Sequence, residues 1–158
     1  MPCFACLVVH FMSDPVAGLV SMARAAGPDG VVGACVWDQA GGRGPLGPFW
    51  QGVREVDSHA VDESQMPGVA EGDLAGLFEA AGLRDVRGGS LEVSVAHSGF
   101  DDWWEPFTLG VGPAGSYVAS LDGPSRDRVE ATLRRRLPDG PFVTRALAWT
   151  AYGRSSRG

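Results

Sequence analysis

Ala5-Cys6-Leu7-Val8-Val9-His10-Phe11-Met12-Ser13-Asp14-Pro15, followed after Gly27-Pro28-Asp29-Gly30 by Val31-Val32-Gly33-Ala34-Cys35-Val36-Trp37, is the stretch that decides the fold. From Phe4 to Met12 the residues are almost continuously apolar, as in a strand buried on both faces of a parallel sheet, and Asp14-Pro15 stops the run. Asp14 suits an N-cap, with Pro15 at the first helical position. Val16, Leu19, Val20 and Ala23 recur at helical spacing until Gly27-Pro28 closes the helix. Val31 to Trp37 reads as a second buried strand. The crossover is long enough for the two strands to be parallel, so the first 37 residues form a βαβ unit.

Working outward, Asp38 to Pro48 is rich in Gly and Pro, and a short amphipathic helix follows from Phe49 to about Val56. Asp57 to Met66 is polar and reads as a loop. Asp73 is placed to cap a helix carrying Leu74, Leu77, Phe78 and Ala81, closed by Gly82, and an alternating strand follows from Leu91 to Val95. Phe100 to Leu109 is aromatic and helical. Ser125 to Leu137 is a helix with Val129 and Leu133 inward and Arg134, Arg135 and Arg136 in its last turn, where cations suit the dipole. Phe142 to Tyr152 is a final strand, and the Arg/Ser/Gly tail beyond it is expected to fray.

At 158 residues and 44% hydrophobic content the chain can bury one ordinary core, and it shows neither an internal repeat nor a domain boundary. A formal net charge of -6 argues against nucleic acid as a partner, because tracking phosphates requires concentrated positive charge. All the basic residues are Arg, which removes the P-loop lysine and Schiff-base chemistry. Three cysteines, an odd number, fit a reducing compartment, and the cytoplasm is the expected location. Met1 to Met12 lacks the cationic start of a signal peptide, and no segment approaches the roughly 20 apolar residues of a membrane span, so no membrane partner is expected.

The segment Ala5 to Pro15, then Met22-Ala23-Arg24, then Gly27-Pro28-Asp29-Gly30 before the strand ending in Trp37, resembles class I S-adenosylmethionine-dependent methyltransferases of the ubiquinone-biosynthesis type. Leu77-Phe78-Glu79-Ala80-Ala81-Gly82-Leu83 and the Trp-rich region to the last strand continue the likeness over nearly the whole chain. Asp29 replaces the first glycine of the family's turn, and Cys6 stands where many relatives carry Gln. The resemblance implies an α/β, partial Rossmann-like methyltransferase fold. Of the family order 3-2-1-4-5-7-6 this chain supplies strands 4, 5, 7 and 6 with flanking helices. It lacks the N-terminal cofactor-binding half, roughly three βα units of about 30 residues each. On this reading residues 1–158 form a single domain, the C-terminal part of the fold, with a helical substrate-cap insertion at about 97–137. The first strand shortens to about Cys3 to Leu7, with Val8 to Met12 as a helical turn.

The function implied is methyl transfer from S-adenosylmethionine to a small-molecule acceptor, truncated in this chain and inactive alone. The missing half would carry the glycine-rich turn and the acidic residue that grip the cofactor, by analogy with dinucleotide sites. Ala5, Cys6 and Leu7 would remain beside the cofactor's amino-acid end. His10 would face the substrate as a general base or hydrogen-bonding partner, its plainer role being a satisfied histidine near the core. Trp37 would close the cleft at the sheet edge, and Trp50, Trp103, Trp104 and Phe107 would supply flat apolar walls, their plainer role being packing. The alternative is a non-catalytic α/β docking module that forms a homodimer, or pairs with a separate N-terminal half, through the exposed strand four.

Three further signals have mainly structural readings. Gly42-Arg43-Gly44-Pro45-Leu46-Gly47 is a literal G-x-G-x-x-G, but it does not follow its strand directly, and Pro45 removes an amide that a phosphate would use. It reads as an ordinary loop. Cys3 and Cys6 lack a second ligand pair for zinc, and as strand residues three apart they point to opposite faces, so buried inert thiols are expected and no metal site. His59 and His97 are expected to face solvent. Asp101, Asp102 and Glu105 form an acidic group without an evident partner, and Arg134 to Arg136 read as a solvated helix end.

Overall fold

The computed structural model describes residues 1–156. Two compact units emerge from its internal packing: one built from Met1–Gly44, Ser64–Glu92 and the chain from Ala146 onward, the other from Pro45–Glu63 and Val93–Arg145.

The first unit begins with β1 (Cys3–Cys6) and a 3-10 turn (Val9–Phe11), followed by α1 (Pro15–Ala26) and β2 (Val31–Trp37). The Asp14 carboxylate accepts the Ala17 N–H at 2.9 Å, so the expected N-cap operates, and Gly27 ends the helix at φ 79°. β1 and β2 are parallel, with Cys3 opposite Val32 and Cys6 opposite Cys35. α2 (Gly47–Val56) belongs to the second unit, and α3 (Asp73–Ala80) returns to the first. The long strands β3 (Arg84–His97) and β4 (Phe142–Arg154) contribute residues to both units. Between them lie α4 (Phe100–Thr108), α5 (Gly112–Ser120) and α6 (Gly123–Arg136). The four strands form one open sheet in the order β1-β2-β4-β3, with β2 and β4 antiparallel.

Alternation along β1 and β2 sorts their side chains. Cys3, Ala5, Val32, Ala34 and Val36 join Leu19, Ala26, Leu74, Phe78, Leu83 and Ala151 in one apolar core, to which α1 and α3 bring their inward faces. Leu19, Val32, Val36 and Phe78 are fully enclosed, each worth about 1.5–3 kcal/mol relative to exposure. Phe4, Cys6, Gly33 and Cys35 lie on the opposite face, which is much less covered: Phe4 is 67% exposed, and Tyr152, opposite Gly33 on β4, is 51% exposed. The second unit has its own core, made of Phe49, Trp50, Val53, Phe100, Trp103, Trp104, Val118, Val129 and Leu133. No helix among the described residues is long and apolar enough to cross a membrane.

Several expectations shift. The first strand is the short one expected, ending at Cys6 rather than Leu7, and the turn expected over Val8 to Met12 is a 3-10 turn at Val9–Phe11, with Leu7 in a left-handed backbone at φ 60° between them. Asp73 is the first residue of α3 rather than its cap; Gly72 at φ 83° holds that position. β3 begins at Arg84, seven residues before the alternating stretch, since pairing in the sheet carries it through Gly88-Gly89. α5 has no counterpart in the sequence reading. α6 starts at Gly123, where the Asp122 carboxylate accepts the Ser125 N–H at 2.8 Å. The tail does not fray where expected: Ser155 is buried, accepts the Gly30 N–H at 2.9 Å and donates to the Gly27 carbonyl. Residues 157–158 lie outside the described residues. Asp29 sits at φ 55°, a conformation Asp tolerates better than most residues, and its carboxylate takes Arg84 at 2.6 Å.

Because Phe78 is enclosed on all sides, Phe78→Ala is expected to lower stability by about 3–5 kcal/mol in urea titrations. Leu91→Ser, at a residue 58% exposed on β3, is expected to shift it by no more than about 0.5 kcal/mol.

Candidate functional site

Open α/β sheets bind ligands beyond the carboxyl ends of their parallel strands, at β1 and β2 here. Ala5 is buried, Cys6 is exposed and Leu7 is half-buried. The Leu7 N–H donates to the Cys35 carbonyl at 2.9 Å, which extends the ladder one residue past β1 before the left-handed turn. Such a backbone in a branched non-glycine residue is a strained conformation of the kind that gathers at functional sites. The following 3-10 turn sinks Val9 into the core and leaves His10 4% exposed, its ring 4.0 Å from that of Phe11. His10 Nδ1 is buried and has no hydrogen-bond partner among the described residues. Burial disfavours the charged imidazole and lowers its pKa. The satisfied core histidine is therefore not what the structure contains. A neutral imidazole with one idle nitrogen is.

At the end of β2, Trp37 is half-buried and Asp38 is almost fully enclosed. The Asp38 carboxylate accepts from Gly41 N at 3.0 Å, Arg43 Nε at 2.5 Å and Trp149 Nε1 at 3.1 Å, while its backbone carbonyl accepts from Arg43 N and Gly44 N. The Arg43 guanidinium also lies 5.3 Å from the Trp149 ring centroid. This explains the glycines of the loop. A Cβ at Gly41 would collide with the Asp38 carboxylate, one at Gly44 would run into Gln39, and Gly42 needs φ 67°. The G-x-G-x-x-G is a wrapping around an internal carboxylate. Asp38 and Trp149 are 111 residues apart, so their pairing had no local signal beyond an acidic residue followed by a glycine turn.

The other aromatic candidates belong to the second unit. Trp50, Trp103 and Trp104 are 4%, 4% and 6% exposed, and Phe107 is half-buried. Phe49 stacks on Phe107 at 4.7 Å, and Trp103 meets Phe107 edge-on at 4.9 Å. These rings form that unit's core, and Trp50 Nε1 is a second buried polar atom without a partner among the described residues. Nearby, Tyr117 donates to Asp57 at 3.1 Å, and burial, then the carboxylate, pushes its pKa up to about 12.

The remaining polar candidates turn out differently from expectation. Cys6 is exposed and Cys3 half-buried, so a buried pair of thiols is not what forms. His59 faces solvent, whereas His97 is half-buried, its Nε2 2.9 Å from Thr144 Oγ1 and its ring against Phe142. The acidic group does have partners: Asp101 pairs with Arg134 at 2.8 Å, and the Asp102 carboxylate accepts the Ser98 N–H at 2.8 Å. Arg134 also lies over the Phe100 ring, and Arg136 pairs with Glu55, so that helix end is tied down. Among the described residues no cluster of His, Cys, Asp or Glu is placed to hold a metal ion.

No family model and no curated protein matches the sequence. Among solved structures the chain is similar to one from Bacillus halodurans C-125 described as "a putative methyltransferase", at 13% identity and a TM-score of 0.50. The likeness covers 98% of this chain and 69% of that one. At this identity it establishes a methyltransferase-like α/β fold.

Two outcomes follow from the geometry. Asp38→Ala removes the enclosed carboxylate that accepts from Gly41, Arg43 and Trp149, so its urea midpoint is expected to fall below that of Asp38→Asn, which keeps an acceptor in place. His10 is neutral in the folded chain at pH values where it is already protonated when unfolded. The unfolded state therefore binds more protons just below the ordinary value of 6.5, and stability is lost as pH falls from there toward the lowered folded value. Urea titrations between pH 7.5 and 5.5 should show this slope, and His10→Gln should flatten it.

Proposed function

We propose that this chain supplies strands 4, 5, 7 and 6 of a Rossmann-like methyltransferase that transfers a methyl group from S-adenosylmethionine to a small molecule, and that these residues alone are inactive. The sheet order carries this reading: β1-β2-β4-β3, with the first pair parallel and β4 antiparallel to β2, is the arrangement that strands 4-5-7-6 require. The similar solved structure supports the same fold. We place the chain in the reducing cytoplasm, consistent with its three free cysteines.

The residues at the end of β1 fit part of the cofactor. Ala5, Cys6 and Leu7 would hold its amino-acid end, with an accessible thiol and a left-handed turn offering polar backbone near the surface. The described strands offer no glycine-rich turn or acidic residue on the far side of β1, so the other half of the grip must come from elsewhere. Bound adenosylmethionine supplies an electrophilic methyl group. His10, held neutral by burial and with Nδ1 idle, is equipped to accept a proton from an acceptor hydroxyl or amine. Trp37 offers an apolar surface at the same sheet edge. Trp50, Trp103, Trp104 and Phe107, which would wall the acceptor on the family resemblance, fill the core of the second unit instead.

A second reading is a non-catalytic docking module that dimerises, or pairs with an N-terminal half, through β1. It is favoured by β1 standing at the sheet edge with Phe4 67% exposed, an arrangement that invites strand addition.

Calorimetry with adenosylmethionine separates the readings. The 158-residue chain is expected to give no saturable heat alone, and saturable binding after addition of a segment carrying the glycine-rich strand and turn of a relative. Tight binding by the chain alone would refute the half-site. No binding in either case would leave methyl transfer without support. Strictly monomeric sedimentation at high concentration would remove the homodimer form of the docking reading.

A further inference from the structure

Cys6 and Cys35 are direct partners in the parallel β1–β2 ladder, so their side chains leave the sheet side by side on one face. That is the sparsely covered face, shared with Phe4 and Gly33, while Cys3 points the other way into the core. Neighbouring strands run about 4.8 Å apart, within the range of about 4.4–6.8 Å between Cα atoms that a disulfide bridges. Cys6 is exposed and Cys35 half-buried. Burial pushes the Cys35 thiol pKa up, and the neighbouring Cys6 adds to this, against a smaller lowering by the Leu7 backbone. The two thiols therefore differ: one meets solutes, and the other waits behind it.

We propose that Cys6 and Cys35 are a redox pair that closes reversibly to a disulfide when a hydroperoxide oxidises Cys6. The Cys6 thiolate attacks the outer peroxide oxygen; an S–O bond forms, the O–O bond breaks, and the alcohol or water leaves with a proton. Cys35 sulfur then attacks Cys6 Sγ, forming the S–S bond as the S–O bond breaks, and the departing hydroxide takes the Cys35 proton to leave as water. Two thiols lose two electrons, and the peroxide gains them. A thiol reductant reverses the closure. Disulfides in reducing compartments are characteristically transient and redox-sensing. The pairing rests on strand register and stands whether or not the chain takes part in methyl transfer.

The test treats the full chain with hydrogen peroxide, then blocks remaining thiols and maps tryptic peptides. Cleavage after Arg24 and Arg43 separates Cys3 and Cys6 from Cys35. The expected product is a monomer lighter by two hydrogens, with Met1–Arg24 joined to Ala25–Arg43 and released by dithiothreitol. The link should persist in Cys3→Ala and vanish in Cys6→Ala and Cys35→Ala, each checked for folding by circular dichroism. Cys6 gaining two oxygens while Cys35 remains free to alkylate would overturn the proposal. So would a link that survives Cys6→Ala, or one that joins two chains through Cys6.

Discussion

The parallel pairing of Cys3–Cys6 with Val32–Cys35 is the constraint on which the first unit depends. Two strands running the same way cannot be joined by a tight turn, so the intervening chain must travel back along the sheet, and a helix is the compact way to do so. α1 performs that return, and its Leu19 and Ala26 close over Val32, Ala34 and Val36. The turn that re-enters the sheet must be sharp. Gly27, Asp29 and Gly30 make it, and Ser155 at the end of β4 then secures it by bonding to Gly27 and Gly30. The beginning and the end of the described chain are thus fastened to the same corner.

The carboxyl end of the pair is shaped by two departures from regular structure. Leu7 turns left-handed and drops Val9 into the core, which carries His10 into a buried position that its chemistry does not favour. Asp38 is equally buried but is surrounded by donors, so one strand end holds an unsatisfied group and the other a saturated one. That contrast separates a structural carboxylate from a candidate for chemistry. A carboxylate with both oxygens engaged by its own chain has little left to offer a ligand, whereas the idle Nδ1 of His10 does.

What was legible in the sequence was what local chemistry determines. Asp14-Pro15 and Gly27 bound α1 because capping and φ preferences act within a few residues, and the apolar runs marked β1 and β2 because burial on a sheet selects residue type position by position. α5 was illegible because glycines at 110, 112 and 115 weaken any local helical signal; it forms by burying Ala114 and Val118 among rings from other segments. β3 extends through Gly88-Gly89 for a similar reason, its hydrogen bonds being supplied across the sheet. Of the candidate site, Ala5 to His10 could be located since they are contiguous, but the Asp38–Trp149 contact and the His97–Thr144 contact join residues 111 and 47 positions apart. The Trp50, Trp103, Trp104 and Phe107 rings were recognisable as a group, yet composition cannot distinguish a ring that walls a cleft from one that fills a core.

The uneven covering of the sheet links these threads. Parallel sheets are ordinarily enclosed on both faces, because their strands carry apolar residues on each side. In β1 and β2 the covered face obeys this, with Val32 and Val36 fully enclosed. The other face carries Gly33, two thiols and a largely exposed Phe4, a composition that tolerates water better than a row of valines. Gly33 leaves room for the Phe4 ring to lie against the sheet, where it shields part of the backbone that a helix would otherwise cover. The same openness that lets Phe4 stand at the surface leaves Cys6 within reach of solutes. A helix laid across this face would remove both at once, so the accessibility of Cys6 reports directly on whether the face is covered.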